Sequence, residues 1–161
     1  MLDAEARPRG SDVVDHRLAA LMIVVASTLG VMCTLHLSGV LAGGSAPFNA
    51  SHAGVAEAII AVVLFAGADA VLANRARAQA TALAATVFAI VGFIVGLTFT
   101  VRGGDAIDIA YHVVVLPILV LTALGLAVRP GRRNGRRHTI PIAMVEHKGD
   151  RRITASHPGN A

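Results

Sequence analysis

Three ionisable side chains lie at one level inside long apolar runs of this chain: His36, Glu57 and His112. Two imidazoles and a carboxylate are the donors that zinc, copper or iron accept. Asp108, His52 and Cys33 are the secondary candidates for any remaining ligand position. Met32 and Cys33 precede His36 by one helical turn and share its face. Asp105, Asp108 and His112 follow an i, i+3, i+7 spacing that draws one polar stripe down a helix, with Tyr111 adjacent. Pro117 follows, where it removes one backbone hydrogen bond.

Two further chemistries fit the same residues. His36 and His112 can serve as the axial pair of a haem b held between two helices, which makes an electron-transfer subunit. A single pair excludes a chain of haems. Alternatively, Glu57 bridges the two imidazoles in a hydrogen-bonded lock that fixes helix packing. The chain has no Walker loop, dinucleotide fingerprint, HExxH or CxxC pair, and no Glu-x-x-His on two helices. An intramembrane metal-dependent enzyme therefore stands behind an accessory role in a membrane assembly.

The elements that must position these groups are set by hydropathy. Of 161 residues, 55% are hydrophobic and 15% charged, against about 25% charged in an ordinary soluble domain. These proportions exclude a disordered chain, and one cysteine excludes an internal disulfide. Apolar stretches occupy residues 18–42, 53–73, 78–101 and 106–128. A helix needs about 20 such residues to cross about 30 Å of hydrocarbon, and in lipid a helix satisfies its own backbone. The expected fold is an all-α integral membrane protein, a four-transmembrane-helix bundle. Counted at 1.5 Å per residue, His36, Glu57 and His112 sit about 6–9 Å below one interface. At that level the third span offers Thr98 and small or apolar neighbours.

The basic residues orient the bundle. Among 14 lysines and arginines, only Arg102 falls in the loops after spans one and three. The positive-inside rule then puts both termini in the cytoplasm and the polar level at the outer face of the plasma (inner) membrane. The run before Gly44-Ser45-Ala46 is too long for a signal peptide. Asn49-Ala50-Ser51 is a formal glycosylation sequon in a composition of bacterial style, rich in Ala and Arg. Residues 1–17 form a short cytoplasmic segment, and residues 129–161 a basic, flexible cytoplasmic tail. Arg129, Arg132, Arg133, Arg136 and Arg137 are placed to meet anionic lipid heads. Such clustering next to a span reads as a topology anchor, and no nucleic-acid partner is expected; partner membrane subunits are. Asp69, near the cytoplasmic end of span two, is expected to pair with Arg75 or Arg77. Gly92/Gly96 and Gly39/Gly43 each give a GxxxG spacing suited to close helix approach within the bundle.

Overall fold

The computed structural model describes residues 10–44 and 46–128. Four helices run in sequence: α1 (Gly10–Leu37), α2 (Ala50–Leu72), α3 (Ala78–Gly103) and α4 (Ala106–Ala127). Each is long and apolar enough to cross a membrane. No strand occurs among the described residues. The expected helical bundle is the architecture found; the N-terminal segment before Gly10 and the arginine-rich tail lie outside the described residues.

Each helix packs on the next, and α4 returns against α1 to close the bundle. Glycines let the helices approach. A Cβ on Gly67 of α2 would press on Met22 of α1 and Ala85 of α3 at 2.7 and 2.8 Å. On α3, a Cβ at Gly92 would meet Ile60, and one at Gly96 would meet His112 Nε2 at 2.9 Å. The Gly92/Gly96 spacing thus serves packing inside the bundle, as expected. The core is built of Ala19, Met22, Leu29, Leu64, Ala82, Ala89, Phe93 and Leu119. The outer surface keeps Val24, Val62, Ile94, Val114 and Leu121 exposed, an apolar exterior suited to lipid and costly in water.

The ends of the helices revise the span limits. Span one was expected to reach residue 42, but α1 stops at Leu37. Gly39 and Gly43 take φ +76° and +72°, the left-handed region that glycine enters without a Cβ penalty. Their spacing is therefore turn chemistry, and the expected GxxxG helix contact at this position is absent. Asn49, the asparagine of the formal sequon, instead caps α2: its Oδ1 accepts from His52 N at 3.1 Å. Pro117 lies within α4, which continues through it to Ala127.

The α1–α2 and α3–α4 connections meet at the same end of the bundle. Gly44 N donates to Gly103 O at 2.8 Å, and Gly43 N donates to Asp105 Oδ2 at 3.1 Å. His36, Glu57, His52, Asp105, Asp108, Tyr111 and His112 all lie within about two turns of this end or on its loops.

Candidate metal centre

Three helices send acceptor atoms to one point. His36 projects from the last turn of α1, Glu57 from the second turn of α2 and Asp108 from the first turn of α4. They are 2%, 6% and 1% exposed. One ligand atom from each lies within 4.8 Å of the others. His36 Nε2 is 3.5 Å from Glu57 Oε1 and 3.7 Å from Asp108 Oδ2.

The orientation of His36 is fixed from behind. Its Nδ1–H donates to Leu41 O at 3.0 Å; a carbonyl can only accept, so the hydrogen is on Nδ1. In the neutral ring Nε2 is then a bare lone pair facing two carboxylates. Phe48 packs against the same ring, centroids 5.7 Å apart.

Asp108 is held from two sides. Thr100 of α3 donates its hydroxyl to Oδ2 at 3.1 Å. His112 Nδ1–H donates to the Asp108 backbone carbonyl at 2.9 Å, and the same nitrogen lies 3.1 Å from Oδ1. Because that hydrogen is directed at the carbonyl, Oδ1 gains a close ring but no hydrogen bond of its own. Phe93 and Tyr111 wall the imidazole, with centroids 5.0 and 6.1 Å from it. Tyr111 in turn bonds Thr28 of α1 through its hydroxyl at 2.9 Å.

Among the described residues, three buried side-chain polar atoms lack a hydrogen-bond partner: His36 Nε2, Glu57 Oε2 and Asp108 Oδ1. All three belong to this cluster. Burying an ionised carboxylate costs several kcal/mol unless a charge compensates it. A protonated ring, a protonated carboxyl or a cation can remove that cost. Charge-assisted N–H···O bonds are about 2.7–2.9 Å long, much shorter than the 3.5 and 3.7 Å found here. Two ligands bound at about 2.0–2.1 Å to one tetrahedral ion stand about 3.3–3.4 Å apart. The spacing is nearer to that of a coordination edge.

The six sequence candidates separate accordingly. His36 and Glu57 converge, and Asp108, expected as a secondary ligand, takes the central place. His112 is adjacent but acts on Asp108; its Nε2 lies beside Gly96, and the ring is not among the three converging groups. As a haem pair, His36 and His112 would have to face one iron; instead both rings contact the Asp108 carboxylate. His52 is exposed, with its backbone in the α2 cap, and Cys33 is half-buried outside the group. Asp105 accepts from Gly43 and Arg102 is exposed. Thr98, the polar group expected at this level of α3, bonds only back to Val95 O. Thr100 is the partner that was missed. It was legible as the continuation of Gly92 and Gly96 at steps of four, the face turned inward.

Asp69 pairs with Arg75 at 2.8 Å, as expected, in a bridge whose two side chains are 61% and 64% exposed. Compared with known family models, with curated proteins and with solved structures, the chain has no match.

Proposed function

We propose that the protein is a multi-pass plasma-membrane protein, both termini cytoplasmic, that binds one divalent transition-metal ion near the outer face. His36 Nε2 and carboxylate oxygens of Glu57 and Asp108 are its ligands, and it works as an accessory subunit of a membrane assembly. One observation carries the reading: the unpartnered buried atoms His36 Nε2, Glu57 Oε2 and Asp108 Oδ1 all belong to one cluster. One imidazole and two carboxylates suit zinc or iron(II); without a thiolate the set does not favour copper(I). Two carboxylates and one neutral imidazole carry the charge that balances a divalent ion. Three protein ligands leave room for a water or a partner's group at a fourth position.

The accessory role follows from the sequence, which holds no motif for a reaction of its own. The orientation follows from the arginine distribution. Both are open to direct measurement. In a Cys33→Ala background, cysteines at Gly44 and Gly103 react with an impermeant maleimide applied to intact cells, and one at Ala76 does not. The reverse pattern overturns the orientation.

The metal reading is tested on detergent-purified protein, loaded with zinc or iron(II) and dialysed. Elemental analysis gives one equivalent per chain in the wild type. His36→Ala, Glu57→Gln and Asp108→Asn each lose it, and Asp69→Asn keeps it. A wild type that retains no metal leaves the cluster as a protonated polar lock between α1, α2 and α4.

A further inference from the structure

His36 is flanked on its loop side by a strap, residues 38–44, together with Phe48. Leu41 is buried, and its carbonyl is the group that holds the His36 Nδ1–H. The strap is therefore part of the ligand's support as well as its cover. It is tied down by two hydrogen bonds, Gly44 N to Gly103 O and Gly43 N to Asp105 Oδ2.

Asp105 is unusual in how it makes the second tie. It occupies the N-cap of α4, with φ −78° and ψ 151°, where an aspartate normally accepts from the helix's own first-turn amides. Its side chain makes no such cap bond. It reaches instead across 62 residues of sequence to the strap. The place it grips is crowded: a Cβ on Gly43 would run into the Phe48 ring, and Gly103 O lies 3.0 Å from that position. Phe48 is wedged between the gripped glycine and His36.

We propose that Asp105 is the latch of an access strap: its carboxylate holds Gly43 down, keeps Phe48 and Leu41 over His36, and thereby controls the passage of a divalent cation between the loop-side water and the His36–Glu57–Asp108 site. The cation's identity rests on the metal reading above; the strap does not. When the latch opens, the site loses its cover and His36 loses the carbonyl that aims its Nε2, so release of the strap exposes the ligand and weakens it together. Asp105 is a positioning residue, acting on His36 through Gly43 and Leu41.

The test measures the reactivity of His36 itself. Full-length protein in detergent, stripped by chelator, is treated with diethyl pyrocarbonate, and modification is followed peptide by peptide by mass spectrometry. His52, exposed on the first turn of α2, is the internal reference. In the wild type His36 reacts far more slowly than His52. Asp105→Ala speeds His36 by about tenfold or more, the factor set by one hydrogen bond to a charged group. Asp105→Asn, whose amide oxygen still accepts from Gly43 in a weaker, uncharged bond, gives a rate between those of the wild type and Asp105→Ala. Because the native side chain makes no cap bond to α4, a general loss of helix stability does not explain such a pattern. Phe48→Ala, which removes cover without touching the latch, also speeds His36. The proposal is overturned if wild-type His36 reacts as fast as His52, or if Asp105→Ala leaves its rate unchanged. In a separate arm, added zinc slows His36 modification in Phe48→Ala, where the latch and the Leu41 carbonyl behind His36 are kept. If zinc has no effect while the variant still reacts fast, the metal reading fails and the strap stands.

Discussion

The two ends of the bundle each bury or expose carboxylates, and they settle them differently. At the α2–α3 turn, Asp69 meets Arg75 at 2.8 Å in the open. The pair is short and complete, and water solvates what remains; such bridges contribute about 0–1 kcal/mol. At the loop end, Glu57 and Asp108 are buried beside His36 at distances too long for hydrogen bonds, with an unpartnered oxygen each. The comparison teaches that a short ion pair has no capacity left. Capacity to take a ligand lies where charge is buried and geometry is held open by other contacts. Here those contacts are Leu41 O behind His36, and Thr100 and His112 around Asp108.

The largest effect should come from Asp108→Ala. Loss of the carboxylate leaves the buried Thr100 hydroxyl without its acceptor, which costs about 1–3 kcal/mol, and removes one of the three converging groups. Thermal unfolding in detergent should fall accordingly and metal content should vanish. An unchanged melting curve would remove the distinction between the two ends. Next is His112→Gln, which takes away the ring beside Asp108 while leaving all three ligands. A change outside the ligand shell of this kind weakens metal affinity by about 10–100-fold. Competition with a chromophoric chelator measures it, and a complete loss would promote His112 to a ligand. Gly96→Ala places a methyl 2.9 Å from His112 Nε2. Overpacking costs about 1–3 kcal/mol, and the ring must shift, so zinc affinity should drop with stability. If stability falls and affinity does not, the ring's position is irrelevant to the site. The smallest effect belongs to Asp69→Asn, within about 1 kcal/mol and with no change in bound metal. A metal loss there would couple the ends that the structure keeps apart.

Much of the fold was legible, because bilayer thickness and backbone satisfaction leave a long apolar run few alternatives. The level of the site was legible too, since depth along a helix is a residue count. What counting cannot give is how far each helix is rotated about its own axis in the packed bundle. His112 and Asp108 share a face at i, i+4, and the sequence gives no reason to prefer one as the inward member. Packing decides: Gly96 admits the His112 ring against α3, and that turns Asp108 to the centre. The stripe of Asp105, Asp108 and His112 also broke at its first member. Asp105 is in an extended conformation at the N-cap, so the helical period does not govern its side chain. Likewise α1 ended short of its apolar run, because two glycines with positive φ turn the chain where hydropathy alone would carry the helix on.

The three cluster residues are spread unevenly along the chain, on α1, α2 and α4, with α3 contributing only a threonine hydroxyl to the carboxylate of its neighbour. A nascent chain that has delivered its first two helices holds His36 and Glu57 but no third donor. The cluster is incomplete through the whole synthesis of α3 and comes into being only when the first turn of α4 brings Asp108 alongside. On the metal reading proposed above, uptake is tied to the last step of insertion, since a chain stalled before residue 106 lacks Asp108.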